Sequence, residues 1–450
     1  MFKSHKWISA GEGQALQVED VQGVFAPVAR NPCNIISIFG RARQGKSFLM
    51  VSVKRSSPVP PLRPRSALTT ASFPRLLPPQ NCLAGEKEIF RISNMKESCT
   101  MGIDVSDKWL PWSDFSNMDG AQPPRKTAAR GMQVGFVDAE GQGDKDVSYD
   151  ANLICPILLM SKCVLFNWKG DLQKDHILST LGIMARAAKN VSAETHAGSA
   201  GGGKKFGHLH IVFRDWQAVG TDEADVYSAL LGMEGSPEAA TRDVIRRDLL
   251  SSFESIRVWL FDPPSELTRD LREKLVFDRT SLAFRAQVRA LRLALAEQLS
   301  TPTLFAGSGL AGRSYLPLTR QIAASLNSGQ AVLPSSAYLT ILREEAVALL
   351  RQFEKELAAR VGELLQRLRA AVPEVGTLFP TSGEAQQQYQ EAAESVRAAF
   401  QAKMQEINGG ATGGPAGTIS AEFGADVQRA LGSGAEQVGN NSILVNSITV

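Results

Sequence analysis

The sequence predicts an α/β domain built on a mainly parallel sheet, followed by an all-α helical bundle domain. Three observations lead there. Five β-rich runs, Asn34–Phe39, Gln133–Val137, Cys163–Trp168, Leu209–Phe213 and Ile256–Phe261, alternate with helical patterns and Gly-containing turns. Several of these runs are apolar on both faces, as central strands of a helix-covered sheet are, and strands separated by helices pair in parallel through right-handed crossovers. After Pro263-Pro264 the β-rich runs stop, and apolar residues recur every three or four positions instead. The expected division is 1–265 for the α/β domain, 266–407 for the helical domain and 408–450 for a Gly-rich flexible tail.

In the helical part, Ser281–Leu299 carries Phe284, Val288, Leu291 and Leu295 on one stripe. The segment Ser336–Val372 carries Leu342, Ala346, Leu349, Phe353, Leu357, Val361, Leu364 and Leu368. Pro334-Ser335-Ser336 starts it and Pro373 stops it. A third helical stretch runs from Gly383 to Ile407. Such stripes have to be buried, and an antiparallel bundle is the economical way to do so.

Composition excludes several classes. Of 450 residues, 43% are apolar and 21% charged, as in globular proteins and unlike disordered ones. The net charge of +3 provides no field for nucleic acid or anionic membrane. The longest apolar stretch, Leu153–Trp168, is interrupted by Pro156, Ser161 and Lys162 and falls short of a membrane span. No apolar run follows Met1–Lys6, so no secretory signal is expected. Five cysteines without a C-x-x-C pair point to reduced thiols in a cytoplasmic setting. His208 and His210 lack partners at ligand spacing and read as ordinary core or surface histidines.

The chemistry is carried by Gly40-Arg41-Ala42-Arg43-Gln44-Gly45-Lys46-Ser47, which fits G-x-x-x-x-G-K-[ST] and lies between the run Asn34–Phe39 and Phe48-Leu49-Met50. The glycines let the backbone curl so that successive N–H groups face phosphate oxygens. Lys46 then reaches the β/γ-phosphates and the Ser47 hydroxyl is a Mg²⁺ ligand. A second feature, Asp138-Ala139-Glu140-Gly141-Gln142-Gly143-Asp144, follows Gln133–Val137 and places a carboxylate where an NTPase holds its metal. A third, Phe213-Arg214-Asp215-Trp216, closes another run. A carboxylate there accepts both N1–H and N2–H of guanine, which adenine cannot match. Either of the last two features alone is also an ordinary strand-closing turn.

In order, and with Ser98-Cys99-Thr100-Met101-Gly102-Ile103 between the first two, these motifs resemble the guanylate-binding protein and atlastin family of large dynamin-like GTPases. The resemblance runs from about Ala15 to Lys403. It includes Phe261-Asp262-Pro263-Pro264, where the family has a base-capping loop, and Thr301–Leu333, where it has a bridge into its helical domain. It implies GTP as substrate, Mg²⁺ as cofactor and GDP as product. Arg43 matches an internal arginine finger, and Thr100 closes over Mg²⁺ and the γ-phosphate. Asp138 holds the metal through water, Glu140 belongs to the water network, and Gly141 senses the γ-phosphate. Arg214 and Asp215 read guanine, while Gly40, Gln44, Gly45 and Phe48 complete the nucleotide-binding set. The resemblance further implies a homodimer formed through the GTPase domain, with no nucleic-acid partner and with peripheral membrane association left open. The alternative is a nucleotide-gated scaffold with little catalysis.

The chain departs from the family pattern at Arg41, Ala139 and Asp104, and most of all in residues 51–80. Seven prolines (58, 60, 61, 64, 74, 78, 79) bar this segment from being a helix or a central strand. Codons for Val51-Ser52 can begin GTGAG, and Gln80 can be CAG, so the ends read as an in-frame splice donor and acceptor. The segment is expected to be translated intron sequence, or else a polyproline II docking segment.

Overall fold

The computed structural model describes residues 3–10, 15–41, 46–49, 90, 102–117, 128–139, 146–192, 205–264, 280–370, 382–408 and 414–448. The segment 51–80 lies outside them. The chain divides into two compact units, Met1–Thr303 with Leu310–Pro334, and Leu304–Gly309 with Ser335–Val450.

The first unit begins with β1 (Ser4–Ala10), β2 (Leu16–Val18), α1 (Gln22–Phe25), β3 (Cys33–Phe39), α2 (Lys46–Leu49), β4 (Ile103–Ser106), β5 (Leu110–Pro111) and α3 (Trp112–Ser116). It continues with β6 (Gln133–Ala139), α4 (Val147–Met160), β7 (Ser161–Lys169), α5 (Lys174–Lys189), β8 (Phe206–Arg214), α6 (Glu223–Leu231), α7 (Ala240–Ser252), β9 (Phe253–Phe261), α8 (Leu282–Gln298) and α9 (Gly312–Asn327). The sheet order is β2-β1-β4-β6-β3-β7-β8-β9, with β5 beside β6. The five strands from β6 to β9 are parallel, and β1, β2 and β4 add an antiparallel edge. All five expected strands are present. The mainly parallel sheet with helices between strands agrees with the sequence reading.

Two apolar segments resolve in ways that composition alone does not dictate. Leu153–Trp168 is the second half of α4 running directly into β7, with the turn at Ser161. Asp146 starts that helix by accepting hydrogen bonds from the amides of Ser148 (2.8 Å) and Tyr149 (3.2 Å). The stripe of α8 (Phe284, Val288, Leu291, Leu295) is buried in one cluster with Ile36, Ile38, Phe136, Leu165 and Val212 of the strands. The expected boundary at 265 therefore moves: α8 covers the sheet rather than joining the helical unit, because the sheet face is the larger apolar surface available to it.

Asn34 is fully buried in a strand where every residue is buried. Its Nδ2 donates to the carbonyls of Leu299 (2.9 Å) and Thr301 (2.9 Å), and its Oδ1 accepts from the Thr303 amide (3.0 Å) and hydroxyl (3.1 Å). All four hydrogen-bonding positions of the amide are used. The chain between α8 and residue 304 is thus tied to β3, the strand that leads into Gly40. Tyr315 of α9 adds a hydrogen bond from its hydroxyl to the Cys33 carbonyl (2.9 Å).

The second unit contains the short hairpin β10 (Leu304–Phe305) and β11 (Ser308–Gly309), then α10 (Pro334–Ala370), α11 (Ser382–Ile407), α12 (Gly414–Glu422) and α13 (Gly424–Ile448). The expected stripe of α10 is buried from Leu342 to Leu364. Phe353 of α10 packs on Phe400 of α11, with ring centroids 5.1 Å apart. Arg343 forms a bidentate pair with Glu422 of α12 (3.0 and 3.0 Å). The Gly-rich flexible tail is corrected: residues 414–448 are helical. Gly434 sits where a Cβ would press on the Tyr389 ring of α11, whose hydroxyl donates to the Leu431 carbonyl. Here glycine permits close helix packing instead of breaking a helix.

Candidate nucleotide site

At Gly40 the chain leaves β3 with φ +141°, and a Cβ there would collide with the Asn167 carbonyl of β7. Only glycine tolerates both the dihedral and the approach. Lys46 opens α2, is buried, and donates from Nζ to the Arg41 carbonyl at 3.2 Å, so its ammonium is folded over the base of the loop. Ser47 and Phe48 lie on α2, and Leu49 anchors that helix in the core of the sheet. Arg43, Gln44, Gly45, Thr100, Glu140 and Gly141 lie outside the described residues.

Asp138 is fully buried on β6, in parallel register with Ile38, two residues before Gly40. Its antiparallel partner on β4 is Asp104, which is ion-paired with Lys6 of β1. Burial raises the Asp104 carboxyl above its ordinary range, and Lys6 opposes that rise. A buried carboxylate at this level of the sheet is a hard-oxygen donor of the kind that suits Mg²⁺. Among the described residues, Asp138 is chemically compatible with that ion.

The other end of the site is built by the ends of β7, β8 and β9. Asp215 follows the last residue of β8 with φ +58°, a left-handed conformation that a non-glycine residue seldom adopts. Both its neighbours are tied down. The Arg214 carbonyl accepts from the Gly170 amide (2.8 Å), and the Trp216 amide donates to the Phe261 carbonyl (2.9 Å). The Trp216 indole packs edge-on against Phe213 at 5.5 Å. Arg214 is buried, whereas the Asp215 side chain is 25% exposed. Lys169, at the end of β7, places Nζ 3.7 Å from Asp215 Oδ2. Asp262, just after β9, is bound to Gln287 of α8 through its amide (2.9 Å) and carboxylate (3.2 Å).

Gly40, Lys46, Asp138, Arg214 and Asp215 all stand at the carboxyl-terminal edge of the parallel strands. Strand order reverses at β3, and ligands of open α/β sheets bind in the crevice at such a switch point. From β3 to β8 is two strand spacings, about 10 Å, enough for a triphosphate and sugar to bridge.

A family model described as guanylate-binding protein, N-terminal domain, matches residues 15–296, well over half of the chain. The chain belongs to the guanylate-binding protein family. This family consists of GTP-binding, GTP-hydrolysing large GTPases of the dynamin-like kind. No match was found among curated proteins. The matched region extends through α8, in agreement with the packing of that helix on the sheet. Among the described residues, no helix is long and apolar enough to cross a membrane.

In this guanylate-binding protein family member both histidines on β8 are satisfied, as the sequence suggested. His208 meets Ser255 (2.9 Å) and Glu254 (3.0 Å). His210 is fully buried, accepts at Nδ1 from the Trp259 indole (2.9 Å) and meets Gln298 through Nε2 (2.7 Å). That pattern fixes the neutral tautomer with the proton on Nε2. Cys33, Cys155 and Cys163 are free thiols, all buried, and burial pushes Cys155 up to about 12. Sequence reasoning missed Lys169. Its only signal was a basic residue closing a largely apolar run, which gives no hint that it faces Asp215.

Proposed function

We propose that this protein binds GTP with Mg²⁺ along the carboxyl edge of its parallel sheet and hydrolyses it to GDP by attack of water on the γ-phosphate. The observation that carries this reading is the alignment of Lys46, Asp138 and Asp215 on that one edge, on either side of the switch point. Lys46, Gly40, Gln44, Gly45 and Phe48 cradle the phosphates, Ser47, Thr100 and Asp138 hold the metal, and Arg214 with Asp215 reads the base. Arg43 stabilises negative charge building on the transferred phosphoryl group, Glu140 orders the water network, and Gly141 contacts the γ-phosphate. Bound Mg²⁺ neutralises charge on the β- and γ-oxygens. Phosphoryl transfer needs little covalent chemistry from the protein, so positioning and charge are what these groups supply.

In this reading two GTPase domains pair in a nucleotide-dependent homodimer that aligns Arg43, and the helical unit moves with the nucleotide state. The setting is cytoplasmic. The segment 51–80, which begins directly after Met50, favours one rival: a nucleotide-gated scaffold in which an interrupted phosphate-binding helix does not support turnover. Multiple-turnover phosphate release from GTP, measured against protein concentration with and without residues 51–80, separates the two. Turnover per molecule that rises with concentration supports the dimeric GTPase. Guanine nucleotide binding without turnover in both forms supports the scaffold. No binding of guanine nucleotides at millimolar concentration refutes both.

A further inference from the structure

We propose that Lys169 is a specificity-determining residue that donates to O6 of guanine beside the carboxylate of Asp215. This rests on the reading of Arg214 and Asp215 as the base end of the site, and it adds a residue that no motif supplies. Three observations carry it. Lys169 is the last residue of β7 and stands in register with Arg214 of β8, so its side chain leaves the sheet at the same edge as Asp215. The turn after it is fixed: Gly170, at φ +91°, donates to the Arg214 carbonyl (2.8 Å), and the Trp168 indole donates to the Asp171 carbonyl (3.2 Å). The Lys169 ammonium lies 3.7 Å from Asp215 Oδ2, with side chains 51% and 25% exposed. That separation is an ion pair too long for a hydrogen bond, so neither group spends its hydrogen-bonding capacity on the other.

The pair therefore presents, in a row, an ammonium donor and two carboxylate acceptors. The Watson–Crick edge of guanine presents the complement: an acceptor at O6 and donors at N1 and N2. Adenine offers an amino group where guanine has O6, and the ammonium would face a donor. Lys169 thus adds to discrimination on the side of the base that Asp215 does not reach. The purely structural account, an exposed ion pair holding two strand ends together, contributes little to stability and predicts no dependence on the base.

The test is calorimetric titration of the full chain with GDP, 6-thio-GDP, IDP and ADP, for wild type, Lys169→Met, Lys169→Arg and Asp215→Asn. Sulfur at position 6 is a poor acceptor, and IDP keeps O6 but lacks the N2 amino group. One hydrogen bond to a charged donor corresponds to about tenfold in affinity. Wild type should prefer GDP over 6-thio-GDP by about tenfold, and Lys169→Met should erase that preference while keeping the preference for GDP over IDP. Lys169→Arg should restore most of it. Asp215→Asn should show the reverse pattern, losing the GDP-over-IDP preference. Equal weakening of all four nucleotides in Lys169→Met, or an unchanged preference for GDP over 6-thio-GDP, overturns the proposal and leaves the GTPase reading intact. Failure of wild type to distinguish GDP from ADP removes that reading as well.

Discussion

Asp138 and Asp215 are the same side chain in opposite settings. Asp138 sits within a regular strand, fully buried, in register with neighbours on both sides. Asp215 sits one residue past a strand, on a left-handed backbone, with its carboxylate partly exposed beside a lysine. A carboxylate buried within a regular strand has its position set by the surrounding fold. An exposed one on strained backbone contributes little to the fold, and strain at such a place is characteristic of binding sites. In the proposed nucleotide site, the phosphate end would therefore be part of the core, and the base end an attachment to it.

Breaking this contrast is most direct at the phosphate end. Arg43→Ala should lower GTP turnover by about 10³-fold or more while sparing affinity, and Lys46→Ala should abolish nucleotide binding. Single-turnover phosphate release and calorimetry read the two effects, and equal affinities for wild type and both variants would refute these roles. Next comes Asn34→Leu, which takes from the Leu299 and Thr301 carbonyls and the Thr303 amide their side-chain partner. A loss of about 2–4 kcal/mol is expected in urea unfolding, far from any ligand.

A comparable effect on stability comes from pH. Burial, opposed by the Gln298 hydrogen bond and reinforced by His208 and Arg257, lowers His210 from 6.5 to about 4. The unfolded chain takes up this proton near pH 6.5, while the folded chain does not until about pH 4. Stability is therefore lost as pH falls through that window, by up to about 3 kcal/mol, and levels off below it. His210→Asn should flatten this part of the stability profile, and an unchanged slope would show that His210 is not its source. The smallest effect sharpens the contrast at the base end. Asp215→Gly should leave the unfolding free energy equal or slightly raised, by up to about 1 kcal/mol, because it relieves the left-handed strain. Guanine selectivity should disappear. A large loss of stability in this variant would mean that Asp215 belongs to the core after all.

Much of this architecture was legible in the sequence. The strands Cys33–Phe39 and Ser161–Lys169 announce themselves because a strand covered on both faces is apolar at most of its positions. The strands Ser4–Ala10, Leu16–Val18 and Ile103–Ser106 on the antiparallel side of the sheet went unread, since they are short or mix polar with apolar residues and so carry no such pattern. The stripe on Leu282–Gln298 was plain, but what it packs against was not: an amphipathic helix records that it is buried, not by which surface. The glycines of 414–448 were read as flexibility, where Tyr389 shows that at least Gly434 is there for contact. Gly40, Lys46, Asp138, Arg214 and Asp215 could be singled out by motif, whereas Lys169, which the structure sets beside Asp215, belongs to none.

The sequence by itself determined the G-x-x-x-x-G-K-S motif, the acidic and Arg-Asp motifs that follow it, and the alternation that makes a parallel sheet, because each depends on residues close together along the chain. Tertiary structure alone decided that Leu282–Gln298 belongs to the sheet, that Asn34 ties down residues 299–303, and that Lys169 meets Asp215. Those partners lie tens to hundreds of residues apart, and strand order, which no local pattern encodes, is what brings them within reach.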